Sequence, residues 1–405
     1  MSSSSSDAPD ASITTTTTTT TKKPLKYEKM DPITHIHRRT DMYIGNPIVS
    51  KHPAEWLWLP GGTKMVRVEE PEYSDGLLRI LIEPLSNMID NLWRSREAGI
   101  KCTKFGLGVT KNSIEFWNDG LGIPVEMDGA HGVYIPELIF GHLLTSSNYD
   151  DTEDRFASGR NGIGVKLSNV FSKHFEVEIG DSERGLVYLQ KWSDHMRTTH
   201  KPKISNKKSL KASYTRIRFE PDISCFGMTL EAPNDPIWTP VLQGWIRKVA
   251  YDTAALVKLP IHLSFDIFDT GSGTEDTKEN KVEKIVLKSL KEHVVKHLPV
   301  TPSEVLEVRL DLDKNQYVEC VVAYLSEEYE SIGIQEVGFV NGIYNREGGV
   351  HVDAVTQDLF RQLLGKFQKS STKGSEFPLS AKELKPGFMI WVHANLINPA
   401  FTSQN

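Results

Sequence analysis

A row of polar side chains recurs in residues 77–94, the first long segment whose apolar residues follow a helical period. Glu83, Asn87 and Asn91 stand four residues apart, so a helix places them above one another on one face. A carboxylate there can orient and deprotonate a water molecule, and an amide oxygen one turn further on suits Mg²⁺. A solvated helix face would show the same spacing, so this row indicates a site only in combination with other segments.

A second candidate segment is the glycine turn at residues 119–122, which follows a predicted strand at residues 113–117. The carboxylate of Asp119 could accept a hydrogen bond from the exocyclic amine of adenine. Gly122 lacks a side chain and would let a ligand approach the backbone closely. Aspartate and glycine are also the ordinary residues of turns, so an ordinary turn remains an open alternative.

A third segment, residues 159–166, reads Gly-Arg-Asn-Gly-Ile-Gly-Val-Lys and precedes a helical pattern. Glycine-rich backbone before a helix presents free N–H groups and the positive end of the helix dipole, both of which suit phosphates. Lys166 would add a mobile positive charge. The spacing matches neither a P-loop nor a Rossmann fingerprint, and a purely structural glycine loop stays possible. The three segments together favour a site for Mg·ATP.

The composition is that of a globular protein made of two or three domains. The chain has 405 residues and a net charge of -6, so any contact with nucleic acid must come from local basic patches. No apolar run reaches the roughly 20 residues of a membrane helix, and the N-terminus lacks a signal-peptide pattern. The three cysteines, Cys102, Cys225 and Cys320, are too widely spaced for a zinc motif or a disulfide framework. We therefore expect a soluble, intracellular protein with reduced cysteines and no membrane partner.

The order of elements predicts an α+β chain that begins after a disordered, Ser/Thr-rich tail at residues 1–23. Residues 136–144 are predicted to be helical, residues 186–192 and 214–220 to be strands, and the basic segment 197–211 to be an exposed loop. From residue 254 onward the expected strands are 261–268, 317–325, 333–341 and 388–396, and the expected helices are 282–297 and 350–366. A βαβ crossover would account for this order, interrupted by a Lys/Ser/Gly-rich loop at residues 365–374.

Longer matches make the chain resemble the ATPase region of type IIA DNA topoisomerases of the eukaryotic and viral type. The three segments above are similar to the nucleotide-binding motifs of the GHKL superfamily, which also includes some chaperones and mismatch-repair ATPases. The matches that narrow the choice to topoisomerase II are residues 39–45, 116–125, 138–151, 219–222, 348–353 and 398–404.

The resemblance implies a GHKL (Bergerat) ATPase α/β sandwich at residues 24–252, with an N-terminal strap near residues 25–30. A ribosomal protein S5-like transducer domain would follow at residues 253–405. It also implies roles for single residues. Glu83 would be the general base, Asn87 the Mg²⁺ ligand, and Lys166 and Gln404 phosphate-side catalytic residues. The further ATP contacts implied are Asn91, Asn118, Asp119, Gly122, Ser146, Ser147, Asn148, Arg160, Asn161, Gly162, Ile163 and Gly164.

Two departures from the family pattern bear on these roles. Pro84 directly follows the expected base, and a proline inside a helix removes a hydrogen bond and clashes with the preceding turn. We therefore expect the helix to start or kink there. The chain ends at Gln404-Asn405, where the family has a Gln-Thr-Lys loop, so we expect an incomplete γ-phosphate sensor and slow or absent hydrolysis. Tyr344 lies in transducer-like sequence and is not a DNA-cleaving tyrosine, which indicates a fragment of a longer enzyme.

The resemblance further implies a homodimer that closes on ATP around double-stranded DNA, in the nucleus or at the replication site of a DNA virus. Lys366, Lys369 and Lys373 are similar to a DNA-facing lysine loop, and solvated lysines are an equal alternative. The second basic cluster comprises Lys207, Lys208 and Lys211. Two other functions stay open: another GHKL machine of the chaperone or mismatch-repair type, and an ATP-controlled clamp that dimerises without hydrolysis.

Overall fold

The computed structural model describes residues 29–145, 156, 162–232, 235–266, 282–325, 333–346, 348–370 and 380–399, without the side chains of residues 369 and 370. The predicted tail at residues 1–23 lies outside these residues, as does most of the expected strap. Outside them also lie seven expected site residues: Ser146, Ser147, Asn148, Arg160, Asn161, Lys373 and Gln404. Among the described helices, none combines the length and apolarity needed to cross a membrane.

The described elements mix helices and strands, as expected of an α+β protein. The helices are α1 (Pro32–Arg38), α2 (Asp41–Ile44), α3 (Asp75–Glu97), α4 (Ile135–Gly141), α5 (Gly164–Val170), α6 (Pro240–Val257), α7 (Leu290–His297), α8 (Val350–Ser370) and α9 (Ala381–Leu384). The first strands are β1 (Ser50–Lys51), β2 (Glu55–Trp58), β3 (Met65–Val68), β4 (Glu72–Tyr73), β5 (Phe105–Thr110), β6 (Ile114–Asp119), β7 (Ser172–Asp181), β8 (Leu186–Ser193) and β9 (Thr198–Thr199). The remaining strands are β10 (Lys203–Asn206), β11 (Tyr214–Pro221), β12 (Ile261–Asp266), β13 (Glu283–Ile285), β14 (Val305–Asp311), β15 (Tyr317–Tyr324), β16 (Gln335–Val340), β17 (Ile343–Asn345) and β18 (Phe388–Asn395). Short 3-10 helices lie at Ile223–Phe226, Pro302–Glu304 and Asp313–Asn315.

The first sheet carries the candidate site on its helical layer. Its strand order is β10-β8-β7-β11-β6-β5-β12-β13, with β9 paired to β8, and only the β5–β12 pair is parallel among the pairs described. Buried and less buried residues alternate along β6 and β15, as expected for strands with two different faces. Helices α3, α5 and α6 pack against this sheet, and α3 also packs against α5. The predicted segment 197–211 is exposed, but it contributes the edge strand β10.

The second sheet has the order β14-β15-β18-β16-β17. Strand β16 runs parallel to β18, and α8 lies in the connection between them, which confirms the predicted βαβ crossover. The buried residues of β18 pack against Val352 and Phe360 of α8 on one face. Trp391 of β18 joins the large core shared with the first sheet on the other face.

The domain boundary expected after residue 252 falls inside α6, and the first sheet continues beyond it. Strand β12 pairs with β5 and β13 pairs with β12, so the first sheet includes Ile261–Asp266 and Glu283–Ile285. The predicted helix 282–297 is therefore wrong at its start. Helix α7 begins after Ser289, whose side chain accepts a hydrogen bond from the backbone of Glu292 at 3.1 Å. The N-cap at Ser289 marks the true start of this helix, whereas the helical periodicity suggested a start at residue 282.

The lysine-rich segment also differs from its prediction. Helix α8 continues to Ser370, so Lys366 lies on a helix and residue 369 belongs to the same helix, where a loop was expected from residue 365. A glycine inside a helix costs only about 1 kcal/mol relative to alanine, and the residues after Gly365 are mostly good helix formers. Gly365 faces open space, so no close packing opposes the helix there.

Helix α3 continues through Pro84, so the helix does not start at this residue. Proline has no N–H, so the carbonyl of Ile80, four residues earlier, loses its normal partner. The hydroxyl of Ser168 on α5 donates a hydrogen bond to that carbonyl at 2.7 Å, and the serine is fully buried. A side chain from a neighbouring helix thus replaces the missing backbone donor.

Two residues of the second sheet, Arg346 and Asn341, contact the first domain at or near α3. The guanidinium of Arg346, just after β17, pairs with Asp75 in the first turn of α3 and lies 3.6 Å from Glu55. Asn341, in the turn between β16 and β17, accepts a hydrogen bond from the indole of Trp93 on its carbonyl oxygen at 3.4 Å. Its side-chain amide donates to the carbonyl of Phe156 at 2.8 Å.

A buried charged network lies between α6 and α7, close to Tyr344. The ammonium of Lys248 pairs with Asp252, whose other oxygen lies 2.9 Å from Nε2 of His293. Burial opposes the charge on Asp252, but Lys248 and His293 outweigh it and hold the pKa of this carboxyl below its usual value. The structure therefore keeps an ion pair in its interior, where removing one partner would strand the other.

We expect Ser168→Ala to lower the free energy of unfolding by about 1–3 kcal/mol, since it leaves the Ile80 carbonyl buried without a donor. In a Pro84→Ala background the restored backbone N–H can bond to that carbonyl. The cost of Ser168→Ala should then shrink. Urea unfolding of the four chains of this double-mutant cycle measures the coupling. Equal costs in both backgrounds would show that Ser168 does not compensate for the proline.

Candidate functional site

The candidate base Glu83 lies at the contact between α3 and α5. One carboxylate oxygen of Glu83 pairs with the guanidinium of Arg79 at 2.7 Å, and the side chain is 13% exposed. A Cβ placed on Gly164 would lie 2.0 Å from the other oxygen, so only a glycine allows this approach. The carboxylate therefore faces the backbone at the start of α5.

Burial raises the pKa of the Glu83 carboxyl above its ordinary value. The nearby guanidinium of Arg79 opposes this shift, and the negative charge of Asp90 adds to it. A carboxylate whose pKa is moved toward neutral pH accepts a proton more readily, which suits a general base.

Lys166 is fixed in place, which corrects the expectation of a mobile positive charge. Its ammonium donates to the carbonyl and hydroxyl oxygens of Thr145 at 2.7 and 2.6 Å, and to the carbonyl of Gly162 at 2.5 Å. The residue is 2% exposed, and burial lowers the pKa of its ammonium to about 8. An ammonium in the interior needs acceptors, and these oxygens supply them. Lys166 thus holds together the two ends of the segment between residues 145 and 162.

The other end of the polar face meets the glycine turn after β6. Gly120 has a φ of 118°, which favours glycine, and a Cβ there would lie 3.4 Å from the side-chain nitrogen of Asn91. The hydroxyl of Ser95 accepts a hydrogen bond from the backbone of Leu121 at 2.8 Å and donates to the carbonyl of Asn91 at 2.6 Å. The serine fixes this turn to α3.

Asp119 and its neighbour point to opposite faces of β6. Both carboxylate oxygens of Asp119 accept hydrogen bonds from the start of β5, namely from the backbone and hydroxyl of Thr103 and the backbone of Lys104. Asn118 is 3% exposed and shares the buried face with Phe116, because side chains alternate along a strand. Of these two expected ATP contacts, the structure turns Asn118 toward the helical layer and Asp119 toward the opposite face.

Gly122 is required by the protein itself in this structure. A Cβ on Gly122 would lie 2.7 Å from the hydroxyl oxygen of Ser213, which in turn lies 2.9 Å from that of Ser182. The space beside Gly122 that was predicted to admit a ligand is filled here by the side chain of Ser213. The expected ATP contact at this glycine finds no support in its surroundings.

The structure brings together most of the described residues predicted for the site. Glu83 and Asn91 lie near Gly164 and Gly120 respectively, and Asn87 between them is exposed. Eight residues of helix separate the two ends, a span of about 12 Å. Ile163 is the residue before α5 and is partly buried. An elongated ligand lying along this face would reach both glycine segments.

Sequence reasoning missed three residues that fix the site: Arg79, Ser95 and Thr145. Arg79 precedes Glu83 by four residues, so the helical spacing that defined the polar face also predicts the ion pair between them. Ser95 extends the same series four residues beyond Asn91. Thr145 lies far from Lys166 in sequence, and nothing in the local pattern pointed to their contact.

Known proteins resemble this chain over nearly its full length. The family model described as DNA gyrase B matches residues 277–405. DNA topoisomerase 2 of Saccharomyces cerevisiae is 32% identical over 380 residues, which are 94% of this chain and 25% of that protein. The chain therefore spans about a quarter of the length of the curated relatives it matches.

Solved structures agree in both sequence and fold. The crystal structure of the ATPase region of Saccharomyces cerevisiae topoisomerase II is 31% identical with a TM-score of 0.75, covering 93% of this chain and 88% of that one. The ATPase and transducer domains of DNA topoisomerase II from Balamuthia mandrillaris are 29% identical with a TM-score of 0.77, covering 95% and 88%.

The helical layer with its glycine turns, followed by a βαβ-containing second sheet, thus defines a GHKL-type α+β ATPase region, and the chain belongs to the ATPase regions of type IIA DNA topoisomerases. Within that class it is similar to the DNA topoisomerase 2 proteins of Saccharomyces cerevisiae and Candida albicans, at 32% identity to each. The fold class inferred from the sequence is confirmed. The alternative GHKL machines of the chaperone and mismatch-repair type are not favoured.

We expect Gly164→Ala to lower the free energy of unfolding by roughly 1–3 kcal/mol, because the new methyl group must displace a largely buried carboxylate. In a Glu83→Ala background the methyl group has room and the cost should nearly vanish. Gly129→Ala is the matched control, since no atom lies within 4 Å of a Cβ built there. Thermal unfolding measures all four variants. A cost that persists without Glu83 would mean that the two residues do not touch in solution.

Proposed function

We propose that this chain binds Mg·ATP along the polar face of α3 and hydrolyses it, as the ATP-operated entry gate of a type II DNA topoisomerase. The observation that supports this most strongly is the contact of the Glu83 carboxylate with the backbone at Gly164, where the glycine segment leads into α5. Phosphoryl transfer to water requires a proton acceptor and, near it, backbone N–H donors for the phosphates.

Glu83 would take a proton from the attacking water, and Arg79 would hold the carboxylate in its orientation. Asn87, one turn further along the exposed face, would offer an amide oxygen to Mg²⁺. When bound, that ion would neutralise charge on the phosphates. Asn91 and the buried Asn118 would contact the phosphate and nucleoside sides of the ligand.

The phosphate cradle would be completed by the segment that Lys166 spans. Ile163 and Gly164 would present backbone N–H groups, and Gly162 would allow the chain to turn there, since its φ is 60°. Ser146, Ser147, Asn148, Arg160, Asn161 and Gln404 lie outside the described residues, and their ATP contacts remain proposals. Lys166 would act from its present position only if a phosphate oxygen replaced one of its three acceptors.

We expect Glu83→Gln to retain ATP binding within a few-fold and to lower turnover by roughly 10²–10⁴-fold, because the amide keeps the shape of the side chain but cannot accept the proton. Nucleotide affinity by calorimetry and phosphate release measure the two effects separately. Glu97→Gln, at the exposed end of the same helix, is the control and should change neither. Unchanged turnover in Glu83→Gln would remove Glu83 from its role.

The longer enzyme would use this region as a dimeric gate for double-stranded DNA. A triphosphate that contacts both domains binds the closed state better than the open one, and the population shifts toward closure. Loss of the γ-phosphate contacts would then relax the gate. Lys366 on α8 and the cluster Lys207, Lys208 and Lys211 after β10 are exposed and could contact DNA phosphates.

We expect sedimentation to show a shift from the 45.6 kDa monomer toward a dimer when a non-hydrolysable ATP analogue and Mg²⁺ are present. The same chain without nucleotide is the control and should remain monomeric. Calorimetry on the same samples separates binding from closure. If the analogue saturates the protein and the mass does not change, the proposed gate is wrong while ATP binding stands.

A further inference from the structure

Three potential metal-binding side chains meet on the side of the first domain that carries α1. His37 lies near the end of α1, His195 follows β8, and Cys225 lies in the 3-10 helix at Ile223–Phe226. One ring nitrogen of each histidine and the cysteine sulfur all lie within 4.8 Å of one another. All three residues are partly buried, and they come from distant parts of the sequence.

The ring of His37 presents a nitrogen that its protein surroundings leave unused. Nε2 of His37 is buried and has no hydrogen-bond partner within the described part of the chain. The ring packs edge-on against Phe171 and His195, with centroids 5.0 Å away in each case. A buried polar atom without a partner is costly, and each such atom in a native structure needs an explanation.

His195 is held in an orientation typical of a metal ligand. Its Nδ1 lies 3.1 Å from the carbonyl oxygen of Val170, so Nδ1–H donates there and Nε2, beside Asp222, is the ring nitrogen available to a metal. Metal-bound histidines commonly donate their second ring N–H to a backbone carbonyl in this way. Asp194, His195 and Met196 all have positive φ values, of 54°, 56° and 66°, a strained run that presents the ring at this point.

Asp222 lies beside this cluster, where it would add an oxygen ligand and balancing charge. Its Oδ2 lies 3.3 Å from Nε2 of His195, while Oδ1 is fixed by the backbone and hydroxyl of Ser224. A thiolate and a carboxylate together would neutralise a divalent cation. The nearby positive charges are Lys173, beside Asp222 and Cys225, and Arg197, which lies 3.7 Å from Asp31.

We propose that His37, His195, Cys225 and Asp222 form a structural site for a zinc-class divalent cation. Two nitrogens, one sulfur and one carboxylate oxygen are a donor set that Zn²⁺ accepts in tetrahedral geometry, whereas Mg²⁺ and Ca²⁺ prefer oxygen alone. Bonds of about 2.0–2.3 Å would bring tetrahedral ligand atoms to roughly 3.5 Å from one another. The ligand atoms of His37, His195 and Cys225 must close from separations of up to 4.8 Å, a movement of about 1 Å that side-chain rotation can supply, and the Asp222 carboxylate must turn toward them.

The site would fasten α1 to the body of the first domain. Metal binding by a cysteine requires the thiolate, so binding would release the thiol proton of Cys225. The ion would join α1, the turn after β8 and the 3-10 helix at Ile223–Phe226. Because the ligands lie apart from the polar face of α3, the inference does not depend on the proposed ATPase activity.

The test uses the full chain without a histidine tag, kept reduced and stripped of metal with a chelator. Titration with Co²⁺ should give one equivalent of binding, with intense tetrahedral d–d bands and a thiolate-to-cobalt charge-transfer band. Added Zn²⁺ should remove both signals by displacement. Absence of these bands at stoichiometric Co²⁺ would overturn the proposal without any variant being needed.

Variants identify the ligands. Cys225→Ser should abolish the charge-transfer band and weaken Zn²⁺ binding by at least about 10–100-fold, and Asp222→Asn should weaken it by a similar factor. Cys225→His should keep Zn²⁺ affinity within about tenfold while losing the band. Cys320→Ser is the matched control, because Cys320 is a partly buried free cysteine on β15 in the second sheet. A band that survives Cys225→Ser or disappears in Cys320→Ser contradicts the assignment.

Discussion

The close approach of α5 to α3 is the constraint on which the candidate site depends. At one point the approach puts the backbone of Gly164 against the Glu83 carboxylate, and one turn further along it lets Ser168 reach the carbonyl that Pro84 leaves without a donor. The second contact supports the first, because the hydrogen bond from Ser168 satisfies the carbonyl that Pro84 leaves open within the helix that carries Glu83. The continuous α3 places Glu83 and Asn91 on one face. A larger residue at 164 would separate the helices and lose both contacts.

The parts predicted correctly from the sequence are those decided by local periodicity. The spacing of Glu83, Asn87 and Asn91 defined the helix face, and alternation with a long helical segment predicted the β16–α8–β18 crossover. The errors arose where distant partners decide the outcome. The orientation of Asp119 depends on Thr103 across the neighbouring strand, and the burial of Lys166 depends on Thr145. Strand β13 exists because β12 pairs with it, which helical periodicity alone could not show.

Buried charge has two different roles in this fold. Lys166 is held by neutral oxygens, so burial lowers the pKa of its ammonium, and a charged ligand at this point would find it already positioned. Lys248 instead faces Asp252 within an ion pair, which keeps both groups charged in the interior. Lys166 can therefore exchange a neutral acceptor for a charged ligand oxygen, whereas Lys248 and Asp252 already neutralise each other. Ligand binding can thus act through Lys166, while the Lys248–Asp252 pair maintains the packing of α6 against α7.

Asn341 has a position with mechanical consequences. This one buried side chain is bonded to the carbonyl of Phe156 and, on its other side, to both the carbonyl and the backbone N–H of Leu396 at the end of β18. Phe156 precedes the glycine segment by three residues, and its ring packs at a tilt against Trp93 of α3. A displacement of about 1 Å at Phe156 exceeds what hydrogen bonds of this length tolerate. The second sheet must therefore move together with Phe156, or the hydrogen bond between Phe156 and the Asn341 amide must break.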